Sequence, residues 1–142
     1  MNIYGWGLLC SLVLFSCNVS NNDKTAEDLV QPASLPGTTV VQVIDSIYNF
    51  GSIVEGEKVS FNFRFKNIGS KPMLISGTSA SCGCTVPEKP EKPILPGETS
   101  FIKVVFNSSN KVGYNEKNIN VIANTNPSFP SLLIKGEVKA AR

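Results

Sequence analysis

The chain has 142 residues with a formal net charge of +2, 17% charged residues, four cysteines and no histidine. One folded domain accounts for that length. The scattered basic residues, among them Arg64, Lys66, Lys103 and Lys135, do not form the clustered basic face that nucleic-acid binding requires, and without histidine there is no Ser-His or Cys-His pair to activate a nucleophile.

The N-terminal segment has its own character. Ile3 to Phe15 carries no charge and is dominated by Leu8, Leu9, Leu12, Val13, Leu14 and Phe15. Such a stretch is too short to span a bilayer comfortably but suits the apolar core of a signal peptide. Leu14-Phe15-Ser16-Cys17 then resembles the bacterial lipobox, which implies lipidation at Cys17 and residues 1–17 as a lipoprotein signal peptide. Phe15 is bulkier than the usual lipobox residue, and no Lys or Arg precedes the apolar run. Plain secretion and an uncleaved anchor are the alternatives. Residues 18–38 are polar and rich in Asn, Ser and Pro, and they read as a flexible tether with too little apolar surface to offset its ordering entropy.

From 39 to 142 the pattern becomes short strands. In Lys58 to Asn67, Val59, Phe61, Phe63 and Phe65 alternate with Lys58, Ser60, Asn62, Arg64 and Lys66, the period of a half-buried strand. Thr99 to Asn107 sets Ile102, Val104 and Phe106 against Phe101, Lys103 and Val105. Asn118 to Asn124 and Ser131 to Lys139 supply two more, and Val40 to Ile44, Tyr48 to Ile53 and Met73 to Thr78 complete the set. Glu55-Gly56 reads as a hairpin turn and Pro96-Gly97 as the centre of a type II turn. Asn67-Ile68-Gly69-Ser70-Lys71-Pro72 and Asn124-Thr125-Asn126-Pro127 read as loops. About seven short strands without a helical stripe predict an all-β, immunoglobulin-like antiparallel β-sandwich.

Tyr48-Asn49-Phe50-Gly51, Phe63-Arg64-Phe65-Lys66-Asn67-Ile68-Gly69, Pro72-Met73-Leu74-Ile75, Ser81-Cys82-Gly83-Cys84-Thr85 and Ile134-Lys135-Gly136-Glu137-Val138 together resemble the domain of unknown function 1573 family, over roughly Val43 to Val138. The resemblance implies a short bacterial lipoprotein with one immunoglobulin-like domain; with the leader, the expected place is the cell envelope, in the outer membrane and facing the periplasm, with the cell exterior as the alternative. It also implies kinship with the ASPM–SPD-2–hydin and major-sperm-protein-like modules, which mostly bind or scaffold other molecules. It implies no reaction.

The candidate thiol site is Cys82, Gly83 and Cys84. On a strand, alternate residues share a face, so both thiols would project together, with Gly83 easing the backbone. Four readings stay open. One is a structural disulfide, permitted outside the cytoplasm although so short a loop restrains the unfolded chain little. Another is an easily reduced, exchangeable disulfide. The third is a Cu(I) pair with Met73 as the only other soft side chain of the folded part, and the last is two small apolar side chains filling a corner before Pro87. Ser108-Ser109-Asn110-Lys111 matches S-x-x-K but lacks its companion motifs. The stiff, charged run Val86 to Pro93 is a loop suited to presenting a surface. The sequence thus predicts no enzyme, no catalytic residue, no cofactor and no metal site. It predicts a membrane-anchored binding or scaffolding module whose partner is a protein or other envelope ligand and not nucleic acid, with thiol–disulfide exchange or Cu(I) handling at Cys82 and Cys84 as the alternative.

Overall fold

A computed structural model describes residues 37–142; the signal peptide, Cys17 and all but the end of the tether lie outside the described residues. The strands are β1 (Val41–Val43), β2 (Ile47–Val54), β3 (Lys58–Asn67), β4 (Ile75–Ala80), β5 (Thr85–Glu88), β6 (Thr99–Asn107), β7 (Gly113–Ala123) and β8 (Leu132–Lys139). They form two four-stranded sheets, ordered β1-β3-β6-β5 and β2-β8-β7-β4. The architecture is a β-sandwich with no helix among the described residues.

Two features depart from the sequence reading. Eight strands lie among the described residues, because β5 pairs with β6 across Thr85–Glu88, overlapping the run Val86 to Pro93 read as a charged loop. The sheets are also not purely antiparallel: β2 runs parallel to β8, from Ile47 opposite Leu133 to Val54 opposite Lys139. Alternation along a strand tells which face is buried but carries no information about the direction of its neighbour, so this pairing is invisible to periodicity. The turn at Glu55-Gly56 is present, with Glu57 N–H bonded to Val54 O at 3.1 Å, but it carries the chain from one sheet to the other and closes no ladder between β2 and β3.

The core lies between the sheets and follows the alternation. Phe63 and Phe65 of β3, Ile102, Val104 and Phe106 of β6, Ile119 of β7 and Leu132, Ile134 and Val138 of β8 are all buried. Each such side chain contributes roughly 1.5–3 kcal/mol by leaving water. Aromatic contacts tie the layers: Tyr48 stacks on Phe61 at 4.0 Å, and Phe50 on Phe106 at 5.5 Å. Gly136 faces inward beneath Phe50, where a Cβ would overlap the ring and lie 2.8 Å from Gly51 O.

Two polar side chains, Asn67 and Ser108, are as deeply buried as the aromatic core. Asn67, at the end of β3, accepts hydrogen bonds from Thr39 Oγ1 (2.8 Å) and Gly69 N–H (3.1 Å) and donates through Nδ2 to Lys71 O (2.8 Å) and Ile94 O (2.9 Å). Every donor and acceptor of the amide is thereby occupied, which is the condition for burying it without a large penalty. Gly69 is required beside it, since a Cβ there would collide with Thr39 Oγ1 and lie 2.5 Å from Val40 N.

Asp45 and Arg64 pin the β1–β2 connection to the outer face of β3. Arg64 Nε donates to Asp45 Oδ2 at 2.7 Å and Nη2 to Oδ1 at 3.1 Å, and the Arg64 backbone N–H also reaches Oδ2. The Arg64 side-chain hydrogen bonds hold the Asp45 carboxyl below the ordinary aspartate range, against a smaller desolvation effect; the backbone N–H and the guanidinium charge add to the lowering. A depressed carboxyl stabilises the fold above the unfolded value of about 3.9, and that contribution disappears as pH falls through the folded value. Asp45→Asn should therefore lower the urea midpoint slightly at neutral pH and not at all in strong acid. Both side chains contact solvent, so the effect is small.

Candidate functional site

The Cys82-Gly83-Cys84 run is not on a strand. It occupies the turn after β4, where the chain leaves one sheet and enters the other as β5. The two sulfurs nevertheless meet: Cys82 and Cys84 form a disulfide with Cα atoms 5.3 Å apart. A pair of free thiols filling a corner is therefore not the state this structure holds, although Cys84 does pack against the core. Gly83 is exposed, its backbone is outside the left-handed region, and a Cβ there would meet nothing within 4 Å. The glycine is not what brings the sulfurs together.

The turn is held from both sides. Ser81 N–H bonds to Asn118 O (3.0 Å) on β7, Thr85 N–H to Cys82 O (3.2 Å), and Asn107 N–H to Cys84 O (2.9 Å) on β6. Thr85 is buried, and its hydroxyl lies 3.7 Å from Cys82 Sγ and 3.9 Å from Cys84 Sγ. Sequence reasoning missed Thr85; the only signal was a hydroxyl residue directly after the second cysteine. Beside the disulfide, on the outward face of the sheet, is an open groove of about 250 Å³. Gly83, Cys84, Val86, Lys58, Val105, Asn107 and Ser109 line it.

The other sequence candidates separate from this place. Met73 is fully buried and bridges to Ile94 through paired backbone hydrogen bonds of 2.8 Å. It precedes β4, whose six residues span roughly 20 Å before the turn begins, so it supplies no third soft ligand. No group of three or more Cys, Asp or Glu residues able to hold a metal occurs among the described residues. Ser108 is fully buried, with its hydroxyl donating to Glu57 O at 2.7 Å; it clasps the β2–β3 turn and is not presented as a nucleophile. Of the run Val86 to Pro93, only the part after Glu88 is loop, and Glu88 reaches Lys103 Nζ at 3.2 Å.

The outward face of the β1-β3-β6-β5 sheet is set by register. Lys58, Ser60, Asn62, Arg64 and Lys66 of β3 sit opposite Asn107, Val105, Lys103, Phe101 and Thr99 of β6. Beyond them, Val86 of β5 stands opposite Val105 and Glu88 opposite Lys103. The result is two apolar points, the Val86–Val105 pair and, further along β6, Phe101, with the Glu88–Lys103 ion pair between them and other cations at the border. Val86 is 55% exposed and Phe101 48%. Arg64 and Lys103 have carboxylate partners, whereas Lys58 and Lys66 have none among the described residues.

The comparisons agree with this architecture. A protein of unknown function from Porphyromonas gingivalis superposes with a TM-score of 0.58 at 16% identity, over 72% of this chain and 47% of that one. This chain thus spans about half the length of that protein. The ASH / PapD-like domain 7 of human CEP192 gives 0.61 at 13% identity, covering 80% of this chain and 95% of that domain. The VesB protease of Vibrio cholerae gives 0.52 at 13% identity, over 70% of this chain and 31% of the protease. At these identities the likeness is one of fold. No curated protein matches the chain. The family model described as "Protein of unknown function (DUF1573)" matches residues 41–138, which is most of the chain, and the protein belongs to that family.

Proposed function

We propose that this protein is a binding or scaffolding module of the bacterial cell envelope: an immunoglobulin-like domain tethered by residues 18–38 to a lipid on Cys17, in the outer membrane and facing the periplasm. The leader and its lipobox-like end support the location. Acylation is read directly from the mass of the mature N-terminal peptide, which also lacks Trp6 once the leader has gone.

The observation that carries the binding role is the outward face of the β3-β6-β5 strands. Exposed Phe101 and Val86, on either side of the Glu88–Lys103 pair, are the kind of apolar anchors that interfaces desolvate, and Lys58 and Lys66 border the same face without carboxylate partners among the described residues. That combination fits an acidic protein surface with apolar residues at its centre, drawn in by charge and retained by burial. A photo-crosslinking residue in place of Phe101, activated in intact membranes, should give one discrete adduct. Its yield should fall about tenfold when Lys58→Glu and Lys66→Glu are combined, the loss expected for two rim charges reversed. A diffuse smear of adducts, or a discrete one indifferent to the charge reversal, contradicts the assignment.

One observation favours a second reading, thiol–disulfide exchange. The Cys82–Cys84 bond closes too short a loop to restrain the unfolded chain much, yet it sits in a half-buried turn beside an open groove with a hydroxyl at both sulfurs.

A further inference from the structure

We propose that the substrate of this disulfide is an extended, cysteine-bearing segment of another envelope protein, and that its thiolate attacks Cys84, expelling Cys82 onto the Thr85 hydroxyl. The proposal rests on the exchange reading above and deepens it by assigning the two sulfurs separate roles. Three features point the same way.

The first is access. Cys84 lines the groove and Cys82 does not. The groove floor is Val86 and Val105, which are neighbours across the β5–β6 ladder, so it offers apolar contact to the residues flanking an incoming cysteine. Its rim carries Lys58, a cation with no carboxylate partner among the described residues, together with Asn107 and Ser109. An attacking thiolate is an anion, and a free ammonium at the entrance favours it over the thiol. With a volume of about 250 Å³, the groove has room for a few side chains and not for a folded surface, hence an extended segment.

The second is the leaving group. A sulfur departs faster when its thiolate is stabilised. The Thr85 hydroxyl lies within reach of both sulfurs, 3.7 Å from Cys82 Sγ and 3.9 Å from Cys84 Sγ, and it is buried, so once attack at the accessible Cys84 expels Cys82, a hydrogen bond donated to that sulfur escapes competition from water.

The third is the surrounding charge. Ser81 N–H to Asn118 O extends the β4–β7 ladder beyond Ala80, which pairs with Ile119. Lys117, half-buried and likewise without a carboxylate partner among the described residues, directly precedes Asn118 on β7, at the end of the ladder where the chain turns into Cys82. A cation at that position favours a thiolate on Cys82.

The exchange balances as follows. The substrate thiolate forms a bond to Cys84 Sγ as the Cys82–Cys84 bond breaks, and the bonding pair leaves on Cys82. A second substrate thiolate then attacks the mixed disulfide at the substrate's own sulfur and releases Cys84. The substrate dithiol is oxidised by two electrons, Cys82 and Cys84 are reduced, and the two protons from the substrate thiols end on them.

The test uses the oxidised mature protein and a synthetic peptide containing one cysteine flanked by valines and a glutamate. After an acid quench and alkylation, peptide mapping should find the peptide on Cys84 and the alkyl group on Cys82. Thr85→Val, which keeps the shape and removes the hydroxyl, should slow the single turnover about tenfold, the worth of one hydrogen bond to a charged sulfur, and Thr85→Ser should restore it. Peptide found on Cys82, or a Thr85→Val protein reacting at the wild-type rate, overturns the assignment of roles while leaving exchange itself standing. Failure of excess peptide to form any mixed disulfide overturns both.

Discussion

Asn67→Ala should destabilise the domain by about 3–4 kcal/mol, near the upper end for single substitutions. The amide is fully buried and makes four hydrogen bonds, to Thr39, Gly69, Lys71 and Ile94. Truncation takes the partner from the Thr39 hydroxyl and Lys71 O, while Gly69 N–H keeps Val40 O at 3.2 Å and Ile94 O keeps Met73 N–H at 2.8 Å; each buried orphan costs about 1–3 kcal/mol before any relaxation or entering water, and the emptied volume adds to the loss. The damage extends beyond one loop, because these partners come from the segment before β1, the β3–β4 loop and the segment before β6. Asn67→Asp is the informative companion. It keeps the size and the two accepted bonds but sets a carboxylate oxygen against Lys71 O and Ile94 O, so it should be at least as destabilising near neutral pH. Urea unfolding at fixed pH measures both. A loss below about 1 kcal/mol for Asn67→Ala would mean that the network is not a unit.

Gly136→Ala should cost about 3 kcal/mol, although it adds only one methyl group. The new Cβ falls on the Phe50 ring and 2.8 Å from Gly51 O, so the ring must leave its stack on Phe106 or the β2–β8 pair must part. The bulge in β2 between Asn49 and Ser52 limits the second escape, since Asn49 Oδ1 already accepts Gly51 N–H at 2.9 Å. Gly77→Ala on β4 is the control. Its Cβ would lie 3.6 Å from Ile122 Cδ1, an ordinary contact, and the variant should unfold within about 0.5 kcal/mol of wild type. Equal effects at the two glycines would remove close packing at Phe50 as the cause.

These two positions also mark where the sequence was readable and where it was not. β3 and β6 were legible, Lys58–Asn67 because it alternates large apolar and polar side chains along its length, and Thr99–Asn107 because its β-branched and aromatic residues set Ile102, Val104 and Phe106 on one face. β5 escaped because four residues containing Pro87 and Glu88 look like a loop; a proline is tolerated there only because β5 lies at a sheet edge. The Asn67-Ile68-Gly69 stretch was readable as a turn but not as a fully buried polar network, since burial of an amide depends on partners 27 and 28 residues away. At the candidate site, the cysteines and their spacing were plain, whereas the disulfide, the Thr85 hydroxyl and the groove arise only when β4 and β5 are assigned to different sheets.

A binding module must meet its partner with one side of the sandwich, here the outward face of β3, β6 and β5. Hydroxyl-radical footprinting of intact cells against the isolated domain reads this directly, because the two outer faces carry separate reporters: Phe101 and Val86 on one, Tyr114 and Ile122, 64% and 63% exposed, on the other. Protection in cells of Phe101 and Val86, with Tyr114 and Ile122 oxidised as fast as in the isolated domain, is the predicted result. Protection of Tyr114 and Ile122 instead, or equal oxidation of all four in both samples, would contradict it.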